Sequence, residues 1–155
     1  MQLDTLFEQL KEYDLITFDV FDTLITRCAL RPTDIFILVE EKWNSDKTVK
    51  LNFAESRVKA EQDAYREYGV CANLEQIYST LVREYHIAVE DAELLKQLEL
   101  QMELAAAIPR KDMLQLFTKL RDIDKKIILC SDMYLSADII AKLLNKAGYP
   151  NDIEL

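Results

Sequence analysis

The chain has 155 residues, half of them apolar, with only two glycines (Gly69 and Gly148) and three prolines. That is enough to bury a core of its own, and it excludes a disordered or collagen-like chain; two distant glycines also cannot form a Gly-rich dinucleotide loop or a Walker loop. Nineteen Lys and Arg against 28 Asp and Glu give a net charge of −9, which repels phosphate backbones and argues against a nucleic-acid partner.

Residues 3–13 carry Leu3, Leu6, Phe7 and Leu10 at spacings of three and four, the pattern of an amphipathic helix. Leu15-Ile16-Thr17-Phe18 follows as a short β-prone run, read as a buried strand that ends in Asp19. Val20 to Arg27 then reads as a polar, turn-like cluster with apolar flanks. From Pro32 to about Asp122 the pattern is helix after helix. Pro32-Thr33-Asp34 starts the first, through Phe36, Val39 and Trp43. Asn52 with Glu55, and Asn73 with Gln76, have the spacing of capping boxes for the next two, and Gly69 is a plausible stop between them. Residues 90–107 form a longer helix whose apolar positions are Leu94, Leu98, Met102 and Ala105, ending before Pro109. Arg110 to Arg121 gives another, through Met113, Leu114, Phe117 and Leu120. A second strand runs over Lys126 to Cys130 and ends in Ser131-Asp132. A helix from Ser136 to about Ala147 stops at Gly148, and Asp152 to Leu155 has the look of the start of a third strand.

Cys28, Cys71 and Cys130 are odd in number and widely spaced, which fits reduced thiols in the cytoplasm better than disulfides or a zinc site. No apolar run is long enough to span a bilayer, and the start Met1-Gln2-Leu3-Asp4 has neither the charge nor the apolar stretch of a signal peptide. The single histidine, His86, excludes multi-histidine metal sites and reads as a helix-end residue. Carboxylates are therefore the main groups left for catalysis.

Both strands end in polar residues, Asp19 on the first and Ser131-Asp132 on the second. Open α/β sheets bind ligands at that carboxyl edge. A carboxylate held rigidly there suits a nucleophile or a metal ligand, and a neighbouring hydroxyl can donate to a bound anion.

Ile16-Thr17-Phe18-Asp19-Val20-Phe21-Asp22-Thr23-Leu24 resembles the first motif of the haloacid dehalogenase-like (HAD) hydrolase superfamily, an apolar strand followed by Asp-x-Asp-Gly-Thr-Leu. Ile127-Ile128-Leu129-Cys130-Ser131 resembles the second motif, an apolar strand ending in Ser or Thr. The Phe-Asp-Val-Phe-Asp-Thr-Leu variant, with Ser131-Asp132-Met133-Tyr134-Leu135, is similar to predicted HAD hydrolases found beside or fused to bacterial glycosyltransferases. The resemblance implies a helix-rich α/β fold: a HAD-like Rossmannoid parallel-sheet core over 1–30 and 109–155, and a helical cap over 31–108. It implies Asp19 as the nucleophile that forms an aspartyl-phosphate, and Mg²⁺ held by Asp19 and the backbone carbonyl of Phe21. Thr23 would support the loop and Ser131 would bind a phosphoryl oxygen. By position alone, Arg27 just after the first motif is a candidate anion-binding group, and Asp132 is either a phosphate-site residue or, the favoured reading, a loop brace. The implied function is a Mg²⁺-dependent phosphatase acting on a small phosphorylated metabolite such as a sugar phosphate, with a functional link to a glycosyltransferase.

Where phosphatases of the superfamily carry a second Asp as general acid/base, this chain has Phe21, and Asp22 stands where the family has Gly. Asp22 is thus a makeshift acid in one reading and a loop brace in another. An aromatic residue at position 21 also matches haloacid dehalogenases, which use the nucleophile without metal. The family's later Lys and acidic motifs have no counterpart after Ser131, where Lys142 and Lys146 fall on the next helix. This leaves a non-catalytic or truncated HAD-like domain as a third reading, and the chain itself as the N-terminal portion of a larger protein. Arg57 and Glu61, at i and i+4, either face a substrate or form an exposed helix pair, the latter being the expectation. Trp43, Phe53, Tyr65, Tyr78 and Tyr85 are expected to form cap core.

Overall fold

A computed structural model of the chain describes residues 3–152. The elements in order are α1 (Leu3–Leu10), β1 (Leu15–Asp19), β2 (Ile25–Arg27), α2 (Asp34–Asn44), α3 (Phe53–Tyr68), α4 (Leu74–Tyr85), α5 (Val89–Ala106), β3 (Ala107–Pro109), α6 (Lys111–Asp122), β4 (Lys126–Cys130) and α7 (Ala137–Lys146). The chain is helix-rich with a small parallel sheet, an α/β arrangement. It divides into two compact units. Of the described residues, one comprises 3–28, 107–132 and 137–152, and the other 29–106 together with 133–136. The segment 133–136 thus belongs to the helical unit, although it follows β4 and was expected with the core. The proposed third strand lies largely outside the described residues; Asp152 is exposed and in no strand.

In the α/β unit, β1 and β4 pair in parallel with Ile16 opposite Ile127, Phe18 opposite Leu129 and Asp19 opposite Cys130. Side chains alternate along a strand. Ile16, Phe18, Ile127 and Leu129 are buried, whereas Thr17, Asp19, Lys126 and Cys130 are exposed and Leu15 is 49% exposed. The strand expected to be buried is therefore buried on one face only. That face meets α6, whose Leu116, Phe117 and Leu120 form a fully buried stripe. The Phe117 ring lies 6.0 Å from Phe18 and meets Tyr149 edge-on at 5.2 Å. Each such fully buried side chain contributes roughly 1.5–3 kcal/mol.

The turn-like cluster expected over Val20 to Arg27 contains a further strand. Its last three residues form β2, which pairs antiparallel with β3, Ile25 opposite Pro109 and Arg27 opposite Ala107. Pro109 is tolerated because it ends the ribbon.

In the helical unit, α3 packs on α4, and α2 packs on α3 and α5. The capping box of α4 is complete: Gln76 N–H donates to Asn73 Oδ1 at 3.0 Å and Asn73 N–H to Gln76 Oε1 at 2.9 Å. The one expected at α3 is absent, because the Asn52 amide donates to the Glu55 carboxylate instead. His86, at φ 57°, closes α4 in the left-handed conformation, and Gly69 closes α3. Phe53 and Tyr78 are buried as expected of cap core, whereas Trp43 is half-buried with the Lys47 ammonium over its ring.

The inward face of α5 differs from the apolar stripe expected there. Leu94 is 53% exposed, and the buried positions are Ala92, Leu95, Glu99, Glu103 and Ala106. These fall at helical spacing one position away from the leucine stripe. Two carboxylates occupy the centre of that face, which is why hydropathy alone selects the wrong side.

Candidate functional site

Asp19 ends β1 at the carboxyl edge of the parallel pair, exposed and facing no other acid across the register. Its Oδ2 accepts a hydrogen bond from Thr23 Oγ1 at 2.8 Å, while Oδ1 accepts none among the described residues. One carboxylate oxygen is thus fixed, and the other is open among the described residues. The strand register puts Cys130 opposite Asp19, so Ser131 begins the loop on the adjacent strand, half-buried, and Asp132 follows it exposed. Neighbouring strands lie about 4.7–4.9 Å apart. Asp19, Thr23 and Ser131 therefore share one sheet edge.

The loop between β1 and β2 is tightly made. Leu24 and Ile25 N–H groups donate to the Val20 carbonyl at 2.9 and 3.1 Å, and Asp22 N–H donates to Ile25 O at 2.7 Å. Asp22 has φ 57°, the left-handed region that glycine occupies without penalty. This supplies a physical reason for the glycine of the resembling motif: the turn needs positive φ, and Asp is among the few other residues that tolerate it. The Asp22 carboxylate accepts from Thr26 Oγ1 at 3.0 Å, which braces the turn. Phe21 is half-buried, with the Arg27 guanidinium 4.6 Å above its ring centre.

Two clamps on this loop escape sequence reading. Arg110 donates through its guanidinium to the Asp22 carbonyl at 2.7 Å and through its backbone N–H to the Leu24 carbonyl at 2.9 Å. Tyr149 Oη donates to the same Leu24 carbonyl at 2.9 Å. Arg110 lies 88 residues from Asp22 in sequence. The proline before it marks the end of β3, but no local pattern announces its partner. A loop fixed from both sides holds a carboxylate in one geometry, the preorganisation that covalent catalysis needs.

Among the described residues no group of three or more His, Cys, Asp or Glu side chains is placed to hold a metal ion. Mg²⁺ does not require one, since it binds through one or two carboxylates, keeps several waters and takes substrate phosphate oxygens. The Asp19 carboxylate, with Oδ1 free of hydrogen bonds among the described residues, fits such an open site and does not fit a closed protein cage.

The helical unit holds a second polar cluster, and it overturns the expectation of an exposed Arg57–Glu61 pair. Arg57 and Glu99 are both fully buried. The guanidinium donates to both Glu99 oxygens at 2.9 Å, and its remaining nitrogen donates to Glu61 at 2.8 Å. Tyr78 Oη donates to Glu99 at 2.7 Å, and the Phe36 and Tyr134 rings lie 4.5 and 4.8 Å from the guanidinium carbon. Burial works to strip the Arg57 proton, but Glu99 together with Tyr134 and Tyr78 more than offsets it, and the net shift is upward. Among the described residues every buried side-chain polar atom has a hydrogen-bond partner.

The tyrosines around these carboxylates resist ionisation. Burial, reinforced by the Glu99 charge, holds Tyr78 and Tyr134 well above the ordinary phenol value, and burial also raises Tyr149. Tyr85 is pushed up to about 12 by burial and by its hydrogen bond to Asp63. In the unfolded chain each ionises near about 10. Folded pKa values above unfolded ones give stability that is complete below pH ~10 and lost as pH rises beyond it. An ultraviolet titration should therefore show Tyr78 and Tyr134 ionising only as the helical unit unfolds. Ionisation of all seven tyrosines by about pH 11 with the circular dichroism of the folded chain retained would contradict it.

Neither protein-family models nor curated proteins give a match to this chain. Its three cysteines are free and exposed, and among the described residues no helix is long and apolar enough to cross a membrane.

Proposed function

We propose that the chain carries the nucleophile half of a HAD-like phosphotransfer site and hydrolyses a small phosphorylated metabolite, a sugar phosphate being the first to test. The carrying observation is the Asp19 carboxylate at the edge of β1, one oxygen held by Thr23 and the other without a partner among the described residues, beside the loop that begins at Ser131. Asp19 Oδ1 attacks phosphorus, the bond from phosphorus to the leaving oxygen breaks, and water then cleaves the aspartyl-phosphate to return the carboxylate. Ser131 donates to a phosphoryl oxygen, Thr23 keeps Asp19 oriented, and Asp132 and Arg27 flank the anion. Mg²⁺, held by Asp19 and the Phe21 carbonyl, supplies charge neutralisation on the phosphate when bound.

Phe21 has no proton to give, and the Asp22 carboxylate is engaged by Thr26. The leaving oxygen therefore departs as an anion, so aryl and acyl phosphates should turn over faster than alkyl phosphates. With this reading goes a link to, or fusion with, a glycosyltransferase, as the resemblance implies, and a cytoplasmic location, as the reduced thiols expected from the cysteine spacing imply. Phe21 supports a second reading, in which Asp19 displaces halide from a haloacid without metal. A panel of phosphate esters and haloacids, each assayed with and without EDTA, separates the two. EDTA-sensitive phosphate release supports the first, and EDTA-insensitive halide release supports the second. Neither product under any condition would leave a HAD-like domain without catalysis.

A further inference from the structure

Within the helical unit, α4 and α5 are joined only by His86 to Ala88, with Ile87 buried, so the two helices form a hairpin. Ile77 and Leu81 of α4 and Leu95 of α5 are buried in the core, and a groove of about 720 Å³ runs between the same two helices. Val82, Val89, Ala92 and Leu94 give it an apolar lining, although Val89 is 65% and Leu94 53% exposed. Leu94 stands outside because Leu95, Glu99 and Glu103 take the inward face of α5. A single exposed leucine is ordinary, but apolar side chains gathered in one concavity mark a contact site. Tyr78 also lines the groove, and its hydrogen bond to the buried Glu99 at 2.7 Å makes that wall a fixed one.

The polar groups of the groove satisfy one another instead of pointing inward. The largely buried Lys96 ammonium bridges Glu75 of α4 and Glu93 of α5, at 2.8 Å in each case. A small polar metabolite needs polar groups converging on it. An apolar groove between helices with its charges on the rim instead fits the apolar face of an incoming helix. Glu90 completes the rim, and three carboxylates against one ammonium leave it net negative. A second copy of the chain would bring the same acidic rim, on a chain of net charge −9, so self-docking is opposed. We propose that the α4–α5 groove docks an amphipathic helix of a partner protein, apolar on the face that enters and carrying Lys or Arg on its flanks to meet Glu75, Glu90 and Glu93. Docking there uses no residue of the Asp19 site.

The probe is a labelled synthetic helix of about 18 residues, with Leu at spacings of three and four and Lys on both flanks, titrated with the full chain. It should bind with a Kd of about 1–100 µM at low salt, the range of a small, transient contact. Control peptides with Glu for Lys, or Ser for Leu, should bind at least about tenfold more weakly. Val89→Ser combined with Leu94→Ser strips exposed lining without entering the core, and should weaken binding at least about tenfold at an unchanged melting temperature. Glu90→Lys should weaken binding and flatten its salt dependence. Ile37→Ser, on the exposed surface of α2 outside the groove, should change neither. In methyl spectra the Val82, Val89 and Leu94 signals should shift as peptide is added. Binding untouched by the double variant, or weakened equally by Ile37→Ser, would reduce the contact to a cationic peptide on an acidic surface and overturn the proposal. Self-association that the double variant abolishes would assign the groove to a second copy instead. Absence of binding at about 1 mM peptide also overturns it.

Discussion

Asp19→Asn should abolish phosphate release, lowering kcat by at least about a thousandfold, because the proposed covalent route closes without the Asp19 carboxylate. The substitution is nearly isosteric. An asparagine carbonyl oxygen can still accept from Thr23 Oγ1, the one side-chain hydrogen bond Asp19 makes among the described residues. The melting temperature should therefore hold, which separates lost chemistry from lost fold. Asp22→Asn is the informative companion. Its carboxylate braces the turn through Thr26, so the variant should lose less than about threefold in kcat, the scale of a displaced loop brace. A large loss confined to alkyl phosphates would instead assign the leaving-group proton to Asp22. Equal activity of Asp19→Asn and wild type would remove the aspartyl-phosphate mechanism altogether.

What the sequence reveals here follows the range of the forces involved. β1 and β4 are legible because Ile16, Phe18, Ile127 and Leu129 must face one core, and α6 because Leu116, Phe117 and Leu120 recur at helical spacing. The Asp19 edge is legible from the same runs, since a polar residue ending an apolar strand has few other places to stand. The β2–β3 ribbon is not, because three residues on each side carry little local preference and meet across about eighty residues of helix. Arg110 and Tyr149 clamp the loop by the same kind of long-range contact. The α5 face fails for a different reason. Glu99 and Glu103 read as solvent-facing in any hydropathy pattern, yet they are buried, and the Arg57 that accounts for Glu99 lies on another helix. The Arg57–Glu61 spacing suggests an exposed pair for the same cause: helical spacing shows which neighbours a residue has, not which face of the helix is covered.

That cluster makes the largest stability prediction. Glu99→Ala should destabilise the chain by about 3–5 kcal/mol in chemical denaturation, the scale for stranding one member of a buried ion pair. The loss exceeds the worth of the hydrogen bonds themselves. Arg57 would keep its charge away from water, Tyr78 Oη would lose its acceptor, and of the carboxylates hydrogen-bonded to Arg57 among the described residues Glu61, a quarter exposed, would remain. Arg57→Met combined with Glu99→Leu should recover much of that loss, since two apolar side chains of similar length strand no charge. Salt provides a further discriminator. Exposed pairs such as Lys59–Glu55 weaken as ionic strength rises, whereas a pair screened from water on every side should not. The difference between wild type and Glu99→Ala should thus stay constant from low to high salt. A cost below about 1 kcal/mol would place Arg57 and Glu99 among exposed pairs.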